Sequence, residues 1–330
     1  MASLVTGASG FLGGRVAQML HEDGDEVVVL ARAASRLEHL AGMPVRVVRG
    51  DLLDAAALSE AVRDVTRIFH CAACSTDWAK QQTYFEANVR GTENLLAAAK
   101  DAPRLERFVH VSTTDIYGYP KVPCTEEHGF VDAGLPYNQT KGRGEALVWE
   151  AGREGLPITI VRPATIYGPR GKDFTQEIAA MLRQRLMLYV DGGRATGGFA
   201  YVDNVAGAML QASVRGAAVG EAFNLADGTG ATWWEYLTMF ARELGTKPPW
   251  IDVPMAVAMG VARAMEAPHR VLGLGGRPLL TRHAVYLMAR SQEFPIDKAE
   301  RIFGYKPQVM LEEGIERSVR WLRDEGAPKR

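Results

Sequence analysis

Two side chains four residues apart have the types needed to move a proton to or from an oxygen. Tyr137-Asn138-Gln139-Thr140-Lys141 follows Pro136, a residue suited to the first turn of a helix. Positions i and i+4 share a helix face, which places Lys141 one turn from Tyr137. A free phenol titrates near about 10. A neighbouring ammonium is expected to lower that value by favouring the anion. A phenol tuned in this way can exchange a proton with a substrate oxygen near neutral pH. A carbonyl under reduction needs such a partner, because negative charge collects on its oxygen. A further hydroxyl lies upstream. Val111-Ser112-Thr113-Thr114-Asp115-Ile116-Tyr117-Gly118 starts as a strand and ends as a loop, so Thr113 is expected to emerge at the carboxyl edge of a sheet.

A glycine turn forms the second constellation. Thr6-Gly7-Ala8-Ser9-Gly10-Phe11-Leu12-Gly13 lies between an apolar run and an amphipathic one. One glycine serves a tight turn, one lets backbone approach a pyrophosphate, and one lets helix and strand pack closely. The helix start then offers free N–H groups and partial positive charge to phosphates. Gly7, Ser9, Gly10, Phe11, Leu12 and Gly13 are therefore expected around a dinucleotide. The spacing is G-x-x-G-x-x-G rather than G-x-G-x-x-G. In a chain with 34 glycines, its place between strand and helix is what gives the trio weight. An acidic residue at the end of the second strand would favour NAD, whereas an arginine can accept a 2′-phosphate. Leu30-Ala31-Arg32 carries no Asp or Glu there, so Arg32 points to NADP, with NAD as the alternative.

These groups need a scaffold that brings strand ends together. Apolar, Val- and Ile-rich runs at 2–6, 26–31, 45–49, 66–70, 107–112 and 157–162 do not alternate in polarity, as expected of strands buried on both faces. Helical spacing separates them: Leu12, Val16, Met19 and Leu20 share one face, and Phe85, Val89, Leu96 and Ala99 another. Regular alternation predicts an α/β doubly wound (Rossmann) parallel sheet. The later part predicts a helix at about 174–187, a strand at 199–202, a helix near 203–213, a strand near 221–225, a helix from Ala231 to Gly245 and another from Leu311 to Glu325. The expected division is a dinucleotide-binding domain over 1–165 and a smaller substrate lobe over 166–330, with some strands after 199 returning to the first domain.

Composition narrows the partners. Of 330 residues, 47% are hydrophobic and 23% charged, and the net charge of −1 gives no electrostatic reason to bind nucleic acid or an anionic membrane. No apolar run is long enough to span a bilayer, and the first residues lack the pattern of a secretory signal, so a cytoplasmic place is expected. The three cysteines suit a reducing compartment. Cys71 and Cys74 form a C-x-x-C, but it follows a strand-like run and lacks a second ligand pair. Redox and zinc roles are therefore disfavoured, and no metal is expected.

In combination these segments resemble the short-chain dehydrogenase/reductase superfamily, in its extended branch. TGASGFLG at 6–13, DL at 51–52, HCAA at 70–73, NVRGT at 88–92, VSTTDIYG at 111–118, YNQTK at 137–141 and VRPATIYGP at 161–169 carry the likeness, with FAYVDNVAGAM at 199–209 and NLADG at 224–228. The resemblance implies Tyr137 as general acid/base and Lys141 as holder of the nicotinamide ribose, with Thr113 bonding the reacting oxygen. It implies Asp51 and Leu52 beside the adenine, Cys71, Ala72 and Ala73 along the cofactor channel, Asn88 in support, and backbone near Ala164 and Thr165 facing the nicotinamide amide. It also suggests a homodimer through helices containing 83–101 and 137–154.

The branch includes sugar-nucleotide epimerases and dehydratases as well as reductases of apolar ketones. Dehydratases of this type follow the catalytic Thr with Asp-Glu, where this chain has Thr114-Asp115. Epimerases often carry Asn at the position of Thr165, and Arg at the position of Gly197; Arg170, Lys172 and Arg194 could substitute. The apolar stretch Pro254–Ala262 and the FAYVDNVAGAM segment resemble the 3β-hydroxysteroid dehydrogenase and dihydroflavonol reductase side. The expected activity is thus an NAD(P)-dependent oxidoreduction of a ketone or secondary alcohol on an apolar substrate. A nucleotide-sugar epimerase and a non-catalytic dinucleotide-binding scaffold are the alternatives.

Overall fold

The computed structural model describes residues 1–324. The strands are β1 (Ala2–Thr6), β2 (Glu26–Ala31), β3 (Val45–Arg49), β4 (Arg67–His70), β5 (Arg107–Val111), β6 (Ile158–Pro163), β7 (Thr165–Tyr167), β8 (Tyr189–Val190), β9 (Phe199–Tyr201), β10 (Glu221–Leu225) and β11 (Asp252–Val253). The first six and β10 form one parallel seven-stranded sheet in the order β10-β6-β5-β4-β1-β2-β3. β7 pairs with β9, and β8 with β11, in two small sheets beside it. The helices are α1 (Phe11–Glu22), α2 (Ala55–Val62), α3 (Gln81–Phe85), α4 (Gly91–Lys100), α5 (Pro136–Arg153), α6 (Ile178–Arg183), α7 (Val202–Val214), α8 (Trp233–Leu244), α9 (Met255–Val271), α10 (Arg282–Ala289), α11 (Asp297–Phe303) and α12 (Leu311–Asp324).

Both faces of the sheet are covered, as the unbroken apolar strands predict. Alternate residues feed two cores: Val5, Val27 and Val29 pack with Val16 and Leu20 of α1 and Val205 of α7, while Leu4, Val28 and Leu30 pack with Leu58 of α2, Leu95 of α4 and Val148 of α5. Each such fully buried Val or Leu contributes about 1.5–3 kcal/mol of hydrophobic stabilisation. A buried ion pair stitches α5 to the sheet: Arg162 on β6 donates to Glu145 over 2.6 Å and 3.2 Å, with both side chains nearly inaccessible. The first core continues into the second half, where Phe199 stacks on Tyr236 at 4.1 Å. Among the described residues no helix is long and apolar enough to cross a membrane.

The helix expected at about 174–187 is broken up. Lys172–Glu177 forms one widened turn, in which Gln176 N–H bonds Gly171 O five residues back and Thr175 ties to Gly168. α6 then stops at Arg183, because Arg185 takes a positive φ of 60°. The helix expected over Ala231–Gly245 runs from Trp233, capped by Thr232 with Glu235, to Leu244, before Gly245 in the left-handed region. The last helix ends its described course at Asp324; Glu325 lies outside the described residues.

Candidate active site

The carboxyl ends of the parallel strands open into one cavity of about 1060 Å³. Its first half is the glycine turn. Gly7 has φ +74°, and a Cβ there would stand 2.7 Å from the backbone nitrogen of Ala72; a Cβ on Gly13 would stand 2.5 Å from Gly7 O. Two bare backbones therefore face each other at the start of α1, whose N-cap Gly10 offers no side chain to its amides. This cradle and its exposed N–H groups fit a pyrophosphate.

Every expected cofactor residue but one lines this cavity: Gly7, Ser9, Gly10, Phe11, Leu12 and Gly13 in the turn, Arg32, Asp51 and Leu52 at the ends of β2 and β3, and Cys71, Ala72 and Ala73 after β4. Tyr137, Lys141, Ala164 and Thr165 line it from the other side. The exception is Asn88, which is buried behind the wall. Its amide accepts from Cys74 N–H at 2.8 Å and donates to Cys74 O and to Thr140 Oγ1, so it shapes the loop that faces the cavity. Asp51 bonds Leu53 N–H, leaving the capping of α2 to Asp54. The N–H groups of Ala164 and Thr165 already donate to Leu225 O and Gly198 O, so they are committed to the fold. Cys71 and Cys74 are free thiols, and burial pushes Cys71 up to about 12, which keeps it protonated.

Tyr137 enters from the first turn of α5, directly after Pro136. Thr113, at the loop after β5, lies beside its phenol and accepts from Asp115 N–H. Lys141 Nζ donates to Val111 O at 2.6 Å, and burial lowers the ammonium to about 8. The expectation that Lys141 lowers the phenol is corrected here. Enclosure by protein and the charge of Asp115 push Tyr137 upward, and the nearby Thr113 hydroxyl opposes them.

A polar cluster adjoins Tyr137 that the sequence did not single out. His283 on α10 lies with its ring 5.6 Å from that of Tyr137, the planes 22° apart. Its Nε2 is 2.9 Å from Asp115 Oδ2, which also accepts from Tyr119 OH at 2.9 Å. Burial pulls the imidazole down, but the bond and charge of Asp115, with Asp77 and Asp173, outweigh it and hold it above its ordinary value. Asp77 accepts both Arg277 and Thr281. Asp173 is pushed up to about 6 by its surroundings and by Glu177 and Asp77. The walls around this cluster are apolar, with Phe174, Ile178, Met181, Leu188, Trp233 and Leu287 prominent. Of the apolar stretch at 254–265, Val261 and Met265 reach the cavity, while Met259 is core and Val257 faces solvent. Among the cations considered for a diphosphate, Lys172 lines the cavity; Arg170 turns toward Gly14 and His39, and Arg194 lies against Gly192. Gly197 has no room for an arginine, since a Cβ there would stand 2.1 Å from the Phe199 ring.

A doubly wound sheet with a phosphate cradle and a Tyr–Lys pair at its carboxyl edge defines a nicotinamide-dinucleotide enzyme. Residues 3–226 match the NAD dependent epimerase/dehydratase family, and the chain belongs to it. It is 33% identical, over 96% of its length and 95% of the relative's, to a 4-hydroxy-2-methyl-3-oxo-4-farnesyl-3,4-dihydroquinoline-1-oxide ketoreductase of Stigmatella aurantiaca. It is 32% identical to a 2-alkyl-3-oxoalkanoate reductase of Stenotrophomonas maltophilia, over 96% and 98% of the two chains. A 3beta-hydroxysteroid-dehydrogenase/decarboxylase of Arabidopsis thaliana is 29% identical over 96% of this chain and 61% of that one, which sets the chain on the steroid-dehydrogenase side of the extended branch. Among solved structures, UDP-glucuronic acid 4-epimerase from Bacillus cereus in complex with NAD is similar at a TM-score of 0.78 and 25% identity, covering 98% of this chain and 99% of that one. The chain is an oxidoreductase acting on CH–OH and C=O groups.

Proposed function

We propose that this chain interconverts a ketone and a secondary alcohol on an apolar substrate, with Tyr137 as the general acid/base. The observation that carries this reading is the meeting of Thr113 and Tyr137 with apolar walls in one cavity. The relatives' named substrates, a farnesylated dihydroquinoline oxide and 2-alkyl-3-oxoalkanoates, are ketones with apolar parts. The missing room at Gly197 and the absence of Arg170 and Arg194 from the cavity wall, which of the three cations only Lys172 lines, speak against a nucleotide-sugar diphosphate in the same place.

A bound nicotinamide dinucleotide supplies or takes the hydride. Gly7 to Gly13 would hold its pyrophosphate, Asp51 and Leu52 its adenine end, Arg32 a 2′-phosphate, and Lys141 its nicotinamide ribose, with NADP preferred over NAD. Thr113 and Tyr137 both bond the reacting oxygen, and Tyr137 gives its proton as negative charge develops there. Because the phenol is pushed upward, it is protonated at neutral pH, the form that reduction requires. Oxidation requires the phenolate and is expected to quicken as pH rises. Residues 166–330, apart from strands such as β10 that return to the sheet, supply most of the substrate lobe.

Replacing Tyr137 by Phe removes the proton donor and keeps the ring. Turnover is expected to fall by about 10²–10⁴-fold while dinucleotide affinity is kept. Full activity in the Tyr137→Phe protein would overturn the mechanism.

A further inference from the structure

His283 has no task in the reaction just described, yet it is built into the wall beside it. The residue is 6% exposed and lines the cavity. Two constraints fix its orientation. Its ring packs 5.6 Å from that of Tyr137 and 6.0 Å from that of Tyr119, and Nε2 points at Asp115. Asp115 accepts at that same oxygen from Tyr119, so the Nε2 atom facing it carries the hydrogen. The other ring nitrogen, Nδ1, has no hydrogen-bond partner among the described residues. It is not among the fully buried atoms, so it is open to the cavity that His283 lines. A fixed nitrogen without a protein partner, open to that cavity and beside the phenol that meets the reacting oxygen, is a position for a ligand atom. The ionisable groups around it are Asp115, Tyr119, Tyr137, Asp77 and Asp173. As an imidazolium, His283 donates from Nδ1 to a carbonyl or carboxylate oxygen; as the neutral Nε2–H form, it accepts there from a hydroxyl.

We infer that His283 Nδ1 recognises a second oxygen of the substrate, so that the chain acts on ketones carrying another oxygen function near the reacting carbon, such as β-keto esters, with the remainder apolar. The inference rests on the reading of Tyr137 as the acid/base. It assigns His283 to substrate choice, outside the proton transfer itself. Asp115 holds the imidazole at the required angle, and the stacked ring of Tyr137 with the tilted ring of Tyr119 keeps it there. The apolar walls then take the rest of the molecule.

The test compares a linear methyl ketone with the β-keto ester of matching chain, using the full chain and reduced cofactor. Wild type is expected to favour the ester by roughly 100-fold in kcat/KM, the scale of one hydrogen bond to a charged group. His283→Gln keeps a donor where Nε2 meets Asp115 but places nothing at Nδ1. It is expected to bring the preference below about 5-fold while leaving the methyl ketone within about 3-fold of wild type. His283→Asn places its amide near the position of Nδ1 and is expected to keep most of the preference. Melting shifts with the corresponding β-hydroxy ester, in protein saturated with oxidised cofactor, should follow the same order without any turnover. Equal rates on the two ketones in wild type, or equal losses on both in His283→Gln, overturn the inference and leave the ketone-reductase reading standing. Absence of turnover on either ketone overturns both.

Discussion

Lys141 Nζ lies 2.6 Å from the carbonyl oxygen of Val111, the last residue of β5. The bond ties the start of α5 to the strand end from which Thr113 departs, so one contact sets the spacing of all three expected catalytic groups. Burial brings the ammonium down to about 8, from an ordinary 10.5. A lowered value means that the folded protein loses this charge as pH rises through about 8. Dinucleotide affinity in wild type is therefore expected to weaken across that pH, and the limb should be missing in Lys141→Met. Calorimetric titration with cofactor on either side of that pH checks it. The unfolded chain keeps the proton to higher pH, so this residue's contribution to stability is complete above 10.5 and is lost as pH falls through about 8.

Gly7 and Ala72 meet too closely for any other residue at position 7. An alanine would place Cβ 2.7 Å from a backbone nitrogen, at φ +74°. Gly7→Ala is expected to cost about 1–3 kcal/mol in strain and to abolish dinucleotide binding. Thermal unfolding with and without cofactor separates the two effects: the variant should melt lower and show no rise on adding ligand.

Arg32 stands at the cavity edge after β2 with no acidic residue at the strand end. Arg32→Asp is expected to weaken NADP binding by at least about tenfold, or ~1.4 kcal/mol, while NAD binding holds or improves. Dissociation constants for both cofactors decide it; unchanged NADP affinity would remove Arg32 from the site.

Glu145 and Arg162 form a buried ion pair beneath α5, to which Tyr117, Glu126 and Trp149 add hydrogen bonds. Removing one partner strands a buried charge, so Glu145→Ala is expected to destabilise the protein by about 3–5 kcal/mol. The double change Glu145→Leu with Arg162→Met should recover most of that loss. Denaturant titration of the three proteins tests the pair, and a single variant with wild-type stability would show that it contributes nothing.

The nucleotide half was legible because its signals are local. The turn at Gly7–Gly13, the strand runs and the Tyr137–Lys141 spacing each lie within a few residues, and periodicity reports them directly. The substrate half was less so. His283 reaches Asp115 across 168 positions, and Arg277 reaches Asp77 across 200. Neither pair has a spacing that a single chain displays. The phenol's direction is not displayed by the chain for a related reason. Adjacency to Lys141 follows from helix geometry, whereas enclosure and the placing of Asp115 depend on the whole fold. The broken helix at 172–183 turns on Thr175 folding back to Gly168, and helical periodicity does not register that contact.

The position of β10 constrains how this enzyme can be re-engineered. It forms the edge of the sheet opposite β3 and pairs along β6 through all five of its residues, yet it arrives from 221–225. A chimera joined at residue 165 would import another protein's strand into this edge, and with it a foreign register. A fragment stopped there would leave β6 with a bare line of amides and carbonyls, a template for aggregation. Grafting a new substrate specificity therefore calls for two joints, one on each side of 221–225, so that the strand stays with the sheet that built it.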